Sequence, residues 1–225
     1  MKLEKITNST RRYEDACATA HALDLVGDRW ALLVMRELML GPRRFGDLRA
    51  SLPGLSANVL TQRLEGLEAA GIVRRRKLPP PASVQVYQLT EWGQESEPIL
   101  LALGKWAVRS PRHDPSLPLS PVALMLSFRA KFDPARAAGV DLAIAFRFGL
   151  DAFSVAVRDG VLAIERGEPA TPDVELSGSP SAVAALLYGK VPLDDLTRQG
   201  ALIVAGDAAA LIRFAGIFEL PPKAG

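Results

Sequence analysis

The stretch that decides the fold is Leu55-Ser56-Ala57-Asn58-Val59-Leu60-Thr61-Gln62-Arg63-Leu64. Ser56 stands where its hydroxyl can accept a hydrogen bond from an amide of the following turn, which predicts that a helix begins there. Leucines at i, i+4 and i+7 give this helix one apolar face: Leu60, Leu64 and Leu67. Gly71 is expected to end it.

The opposite face of this predicted helix carries polar side chains that suit the edges of DNA bases. Asn and Gln can pair bidentately with adenine, and Thr can contact a thymine methyl group or a phosphate. An α-helix also fits the major groove of B-DNA. The sequence therefore predicts that this helix reads duplex DNA, with these candidate contacts: Ser56, Asn58, Thr61, Gln62 and Arg63.

Further helices are predicted before this one, and a β-hairpin after it. The helices run over about 15–26, from a cap at Asp28 to Gly41, and over 44–51. The hairpin strands span 73–78 and 84–89, and a last helix covers 91–108. Helix, turn, helix and hairpin is the order of a winged helix-turn-helix, which we expect in residues 1–110.

Basic side chains are concentrated in this part of the chain. Residues 43–77 hold eight basic and three acidic side chains, net +5, whereas the whole chain carries only +2. A charge run alone is more typical of a solvated surface, but together with the order of elements it favours double-stranded DNA as the partner. The candidate phosphate contacts are Arg43, Arg44, Arg74, Arg75, Arg76 and Lys77.

Four segments resemble the HxlR-type transcriptional regulators, a winged-helix family. They are 17–30 (CATAHALDLVGDRW), 38–48 (LMLGPRRFGDL), 55–64 (LSANVLTQRL) and 87–93 (YQLTEWG). The resemblance covers about residues 17–106 and implies a homodimer built from the first and last helices. Each protomer is expected to place one recognition helix in successive major grooves of a palindromic operator. Trp92 departs from the family, which more commonly has a smaller or aliphatic residue there.

The single cysteine, Cys17, has two interpretations. Some members of the family sense oxidants or electrophiles through a cysteine near this position. We expect Cys17 in the first turn of a helix, downstream of Arg11 and Arg12, where the helix N-terminus and the cations would stabilise a thiolate. The alternative is a small residue at a helix interface. The sequence leaves both interpretations open.

A second domain is predicted after a proline-rich linker over residues 111–121. Residues 122–225 alternate strand-like and helix-like segments, so the fold class of the whole chain is α+β. The strands are expected at 141–147, 152–158, 161–165, 174–177 and 202–205. Helices are expected from Ser179, over 194–199 and from Asp207.

This second domain resembles a sterol-carrier-protein-like domain. The resembling segments are 174–180 (VELSGSP), 186–190 (LLYGK) and 202–207 (LIVAGD). The resemblance implies a small hydrophobic effector held between a sheet and its helices. The candidate walls, whose alternative interpretation is a plain hydrophobic core, are Phe146, Phe148, Phe153, Leu186, Leu187, Phe214 and Phe218.

Other classes of protein find less support in the sequence. We see no Gly-rich phosphate loop, nucleophile motif or cluster of histidines with carboxylates, so we expect neither an enzyme nor a bound metal or cofactor. No apolar run approaches the ~20 residues of a membrane span, and the N-terminus does not resemble a signal peptide. These features favour a cytoplasmic protein, nucleoid-associated when bound to DNA.

The sequence thus predicts a transcriptional regulator, more specifically a repressor. One alternative is a carrier of lipophilic ligands whose winged helix serves mainly protein contacts. An architectural nucleoid protein is disfavoured because a net charge of +2 is small for extensive phosphate neutralisation.

Overall fold

The computed structural model describes residues 12–224, which form two compact units. The first contains residues 12–38 and 42–93, and the second contains residues 39–41 and 94–224. The predicted linker, residues 111–121, lies within the second unit. Across the described residues, no helix combines the length and apolar character needed to cross a membrane.

The first unit is helical apart from one antiparallel hairpin. Its elements are α1 (Ala18–Val26), α2 (Ala31–Leu38), α3 (Phe45–Ser51), α4 (Ala57–Ala69), β1 (Val73–Lys77), β2 (Gln85–Leu89) and the short α5 (Glu91–Gln94), which ends one residue past the unit. The predicted leucine stripe of α4, Leu60, Leu64 and Leu67, is buried, and α4 contacts α1, α2 and β1. The expected order of helix, turn, helix and hairpin is therefore present.

Two helix starts differ from the prediction. Helix α1 begins at Ala18 rather than near Asp15. The Asp15 carboxylate accepts a hydrogen bond from the backbone amide of Cys17, and Cys17 occupies the N-cap position. Helix α2 begins at Ala31 rather than directly after Asp28. Trp30 has a φ of 82°, in the left-handed region, and so lies outside the helix in which we expected it.

The helix predicted over 91–108 is wrong as a single element. The chain forms α5 and then α6 (Glu97–Ala107), with a break at residues 95–96. Pro98 explains the break, because it has no N–H to donate to the carbonyl of Gln94 and its ring would crowd that turn. Pro98 is instead accommodated in the first turn of α6, where an amide would lack a helical acceptor.

The second unit packs helices against a five-stranded sheet. After α6 come α7 (Pro121–Lys131), β3 (Leu142–Phe148), β4 (Asp151–Arg158), β5 (Val161–Arg166), β6 (Val174–Gly178), α8 (Pro180–Leu187), α9 (Leu193–Arg198), β7 (Leu202–Gly206) and α10 (Ala208–Ala215). The strand order is β5-β4-β3-β6-β7, with β3 and β6 parallel and the other neighbours antiparallel. The α+β class and all five predicted strands are confirmed, with small shifts at their ends.

Helix α7 was not predicted, although its start has clear local signals. The Ser120 hydroxyl accepts the amide of Ala123, and Pro121 occupies the first turn. The remaining residues are apolar on nearly every side of the helix: Val122, Leu124, Met125, Leu126, Phe128 and Ala130 are all buried. A helix that is buried all round has no amphipathic period to detect, and its proline had been assigned to the linker.

Candidate nucleic-acid interface

Helix α4 presents a polar face to solvent from a well-capped start. The Ser56 hydroxyl accepts the amide of Val59 at 3.3 Å, as the sequence predicted. Thr61 is exposed and donates its hydroxyl proton to the carbonyl of Ala57 at 3.0 Å, so its hydroxyl oxygen keeps its lone pairs free to accept. Ser56 therefore has a structural role at the start of α4, and Thr61 can offer an acceptor and an apolar contact.

Asn58 and Gln62 are the free amide side chains of this face. Both are exposed, and neither makes a hydrogen bond within residues 12–224. They stand four residues apart, so their side chains lie one above the other along the helix, about 6 Å apart. Two unpaired amides on one exposed helical ridge can hydrogen-bond the edges of neighbouring bases.

Arg63 lies at the margin of this face and is already paired within the protein. Its guanidinium forms an ion pair with Asp28, in the turn before α2, and its side chain is 21% exposed. The Asp28 carboxylate therefore binds α4, whereas the sequence analysis expected it to cap α2.

The hairpin divides its basic side chains between two faces. Arg74 and Arg76 stand opposite Gln88 and Val86, and the alternation of a strand puts them on the same face. On the other face, Arg75 pairs with Glu68 at 2.9 Å and its guanidinium lies 5.7 Å from the centroid of the Tyr87 ring. The four adjacent basic residues of β1 therefore differ in how much of their charge is available.

Arg43 and Arg44 are also unlike each other. Arg43 is only 7% exposed, exchanges backbone hydrogen bonds with Tyr87 at 2.9 and 2.8 Å, and donates from Nη2 to the Ser51 hydroxyl at 3.0 Å. Arg44 precedes α3 and is exposed. Among the candidate phosphate contacts, Arg44, Arg74, Arg76 and Lys77 are exposed and have no carboxylate at ion-pair distance within the described chain.

Cys17 stands at the N-cap position of α1 and is exposed. The backbone amides of Thr19 and Ala20, and then the Thr19 hydroxyl, hold the pKa of the Cys17 thiol below its usual value. The stabilising groups are therefore the open amides of the helix N-terminus. Of the two cations named from the sequence, Arg12 is exposed and Arg11 lies outside the described residues.

The seven candidate ligand-binding residues of the second unit are buried together. The Phe146 ring lies 6.0 Å from Phe148 and 6.1 Å from Phe214, while Phe153 lies 6.3 Å from Phe148. Phe128, which the sequence analysis did not name, joins them through centroid distances of 5.6 Å to Phe146 and 5.1 Å to Phe218. Leu186 and Leu187 are buried on α8. The rings contact one another, so their role as walls of a ligand site stays a prediction.

Comparisons with known proteins agree with the winged-helix geometry. The profile of a family described as HxlR-like helix-turn-helix matches residues 25–114. The HTH-type transcriptional regulator sll1512 of Synechocystis is 43% identical over 40% of this chain and 66% of its own length. The HTH-type transcriptional regulator YvaP of Bacillus subtilis is 40% identical over 38% of this chain and 80% of its own. The chain belongs to the HxlR-like helix-turn-helix family.

For the second unit of this HxlR-like protein, the family profile that matches is not the sterol-carrier-like one that the sequence analysis suggested. A profile described as alkyl sulfatase C-terminal matches residues 118–224. The solved sec-alkylsulfatase Pisa1 from Pseudomonas sp. is 22% identical, with a TM-score of 0.42, over 45% of this chain and 16% of the enzyme. The α+β architecture is given by the elements of the unit itself, and its similarity to alkyl sulfatase C-terminal domains rests on the profile match. The sterol-carrier-like identity stays a prediction.

Sequence reasoning missed the residues that hold the basic side chains of the HxlR-like unit. Asp28 pairs with Arg63, and Glu68 and Tyr87 contact Arg75. None of these residues is adjacent in sequence to its arginine, and they meet only in the folded unit. It also missed that α6 leaves its apolar side uncovered, with Ile99, Leu103 and Trp106 exposed. Their spacing of i, i+4 and i+7 was the available signal, and the sequence analysis used only the family resemblance to assign this helix to a dimer.

Proposed function

We propose that this protein is a homodimeric repressor of transcription that acts in the cytoplasm on a palindromic operator. In this proposal α4 is the recognition helix and enters the major groove, with Asn58 and Gln62 pairing with bases and Thr61 contacting a thymine methyl group or a phosphate. The observation that carries the proposal is the pair of unpaired, exposed amides on α4, in the same unit as a basic hairpin.

The hairpin and the loop before α3 supply phosphate contacts in this proposal. Arg74, Arg76 and Lys77 are exposed and have no carboxylate at ion-pair distance within residues 12–224. The Arg44 side chain is likewise exposed without an ion pair, and only its backbone amide donates to Asp47. Guanidinium and ammonium groups in this state can bind phosphate oxygens without first breaking an ion pair. We assign these four side chains to the DNA backbone or the minor groove.

Three other candidate arginines have a supporting role in this proposal. Arg43 is buried on Ser51, Arg63 is paired with Asp28, and Arg75 is paired with Glu68. Releasing any of them toward DNA would leave its present partner without its charge or hydrogen bond. We therefore assign Arg43, Arg63 and Arg75 to the positioning of α3, α4 and the hairpin.

Dimerisation through α6 completes the proposal. One side of α6 packs on α7, and the uncovered side carries Ile99, Leu103 and Trp106, the last 75% exposed. A contiguous apolar stripe on an exposed helix is typical of an interface rather than of free surface. The occupant we propose is α6 of a second copy, in line with the dimer that the family resemblance implies.

For the second unit we propose a sterol-carrier-like domain that takes a hydrophobic effector and thereby alters operator affinity. Its support is an aromatic core whose rings belong to different elements and could separate around a ligand: Phe128, Phe146, Phe214 and Phe218. Titration of operator affinity against cellular lipids and aromatic acids tests this part of the proposal. Unchanged affinity with a ligand bound would make the domain purely structural.

The experiment for DNA recognition is selection of bound fragments from genomic DNA, followed by anisotropy titrations of the selected duplex. A repressor is expected to prefer its operator over a scrambled duplex by ~10³-fold or more at physiological salt. The alternative function, a lipophilic-ligand carrier whose winged helix serves protein contacts, predicts equal and weak affinity for both duplexes. Equal affinities would therefore reject the repressor.

A further inference from the structure

The turn between α1 and α2 holds an exposed arginine that the sequence analysis did not name among the candidate DNA contacts. Arg29 follows Asp28 and precedes Trp30, and its guanidinium carbon lies 5.5 Å from the centroid of the Trp30 ring. Within residues 12–224, no carboxylate lies at ion-pair distance from Arg29. The guanidinium therefore has an aromatic support, and its charge is available to a partner.

Both neighbours of Arg29 contact the segment that carries the candidate recognition helix. Asp28 forms its ion pair with Arg63 in the middle of α4. Trp30 lies beside Gly54, in the loop before α4, where an added Cβ atom would come within 3.9 Å of the Trp30 ring. Because these contacts hold the residues on both sides of Arg29, its backbone is fixed next to the first half of α4.

Trp30 adopts an unusual backbone conformation in this place. Its φ of 82° lies in the left-handed region, which bulky L residues rarely occupy. The Trp30 carbonyl nevertheless accepts the amide of Val34 at 2.8 Å, at the start of α2. Such a conformation costs free energy and persists only where surrounding contacts enforce it, and residues held in this way cluster at binding sites.

The ion pairs of α4 place Arg29 and the hairpin on opposite sides of the helix. At about 100° per residue, Arg63 is turned roughly 100° from Gln62 in one direction, and Glu68 roughly 120° in the other. Arg63 binds the turn that contains Arg29, whereas Glu68 binds Arg75 of β1. The polar face around Gln62 therefore has an exposed arginine of the turn on one side and the basic hairpin on the other.

We propose that Arg29 binds a backbone phosphate at the edge of the major groove opposite the edge contacted by the hairpin. This inference rests on the proposed DNA binding and adds a contact to it. A helix in the major groove lies between two phosphate backbones, about 12 Å apart, so cations on both of its sides reach both edges. A planar guanidinium fits two phosphate oxygens, and stacking on a ring orients it beforehand. Arg29 thereby orients α4 in the groove without reading sequence.

The first test is titration of the full chain with operator and scrambled duplexes between about 50 and 200 mM salt. R29A should lower the affinity for both duplexes by a similar factor, about 5- to 10-fold, because a phosphate contact carries no sequence information. It should also reduce the slope of log affinity against log salt by about 0.9, whereas R29K keeps the charge and the slope. R158A removes an exposed arginine of β4 and should leave both quantities unchanged.

Operator duplexes with a single neutral methylphosphonate in place of one phosphate locate the contact. Neutralising the phosphate that Arg29 binds should weaken the wild-type complex, and R29A should show no further loss at that phosphate. R74A should lose its sensitivity at a different phosphate, across the same major groove. The proposal is overturned if R29A keeps the wild-type sensitivity at every phosphate, or if R29A and R74A lose it at the same one.

Variants of Trp30 test the aromatic support. W30F keeps a ring under the guanidinium and should bind the operator within about twofold of wild type. W30L removes the ring and should weaken binding about 3- to 5-fold with an unchanged salt slope, because the charge of Arg29 remains. Circular dichroism checks the fold of each variant. If W30L does not fold, R29A and R29K still decide whether Arg29 binds phosphate.

These measurements separate the role of Arg29 from the proposed function itself. A wild-type chain that binds operator and scrambled duplexes equally rejects the repressor, and the salt slope of R29A on either duplex still reports whether Arg29 binds phosphate. A wild-type chain that prefers its operator, combined with an unchanged slope and phosphate map in R29A, retains the repressor and rejects Arg29 as a contact.

Discussion

Arg63, on α4, forms an ion pair with Asp28 in the turn before α2. Asp28 lies between α1 and α2 of the same unit, so the pair ties α4 to the turn that leads into α2. Arg63 follows Gln62 directly and is thus turned by about 100° from it around the helix. The pair therefore holds a positive charge beside the face that we propose to contact DNA, and the Arg63 side chain is engaged with Asp28 instead of that face.

This arrangement predicts that D28N changes stability and leaves operator affinity intact. Asp28 is largely exposed, so the loss in unfolding free energy should be small, about 0.5–1 kcal/mol. Urea denaturation and operator titration measure the two quantities, and a double-mutant cycle with R63A isolates the pair. A loss of operator affinity in D28N at unchanged stability would mean that Arg63 needs Asp28 for its work on DNA.

The unpaired amides of α4 should behave in the opposite way. N58A and Q62A should each lower operator affinity by roughly 5- to 150-fold, corresponding to ~1–3 kcal/mol per base contact. Their melting temperatures should not change because neither side chain makes a hydrogen bond within residues 12–224. A69Q, an exposed position in the last turn of the same helix, is the control. Equal losses on operator and scrambled duplex would show that the amides do not read sequence.

The two faces of the hairpin make a paired prediction about salt. R74A and R76A should each reduce the slope of log affinity against log salt by about 0.9, the value for one phosphate contact. R75A should mainly lower stability, because Arg75 is paired with Glu68 and packed on Tyr87. Operator titrations between about 50 and 200 mM salt check the slopes. A slope change in R75A as large as in R74A would reverse the assignment.

These contrasts also show which features of the candidate interface could be predicted from the sequence alone. The start and the buried stripe of α4 were predictable because their signals, the Ser56 cap and the leucine spacing, are local. The different roles of Arg43 and Arg75 were not, because Ser51, Tyr87 and Glu68 approach them only in the folded unit. Residue type and net charge could therefore locate the candidate interface. They could not distinguish the arginines that we propose to bind DNA from those that are paired within the protein.

The second unit illustrates the other limit of sequence patterns. Its strands were predictable from alternation and turns, and the caps at Ser179 and Asp207 were placed correctly, with amides accepted at 3.1 and 3.0 Å. Helix α7 was not predicted because its residues are apolar and buried on nearly every side, so its sequence has no alternation of apolar and polar faces. Helix α6 had the expected periodicity, but its apolar stripe is exposed, and a sequence pattern does not distinguish a core face from an interface.

Dimerisation through α6 is expected to depend on its exposed stripe. L103E and W106E should convert the dimer to a monomer, because a carboxylate in an apolar interface loses its hydration without a partner. Sedimentation velocity measures the change, and operator affinity should fall with it. L150E, at a fully exposed loop residue of the second unit, is the matched control for an added glutamate. A wild-type chain that sediments as a monomer would reject the interface before any variant is made.

Cys17 should react as a partly activated thiol, and substitutions in the first turn of helix α1 test the cause of this activation. The amides of Thr19 and Ala20 stabilise the thiolate, so the rate of reaction with iodoacetamide should rise with pH around a midpoint below the usual ~8.5. T19V removes only the weaker hydroxyl contribution and should raise the midpoint slightly. T19P also removes the backbone N–H, at a first-turn position that tolerates proline, and should raise the midpoint further.

Because the chain has a single cysteine, the alkylation rate reports on Cys17 alone. Circular dichroism of T19P checks that α1 persists, since loss of the helix would also raise the midpoint. A redox role requires the thiolate to be present at neutral pH in the folded protein. A wild-type midpoint at or above ~8.5 would leave Cys17 a surface residue without that chemistry. The graded order of wild type, T19V and T19P would instead assign the activation to the helix N-terminus rather than to Arg12.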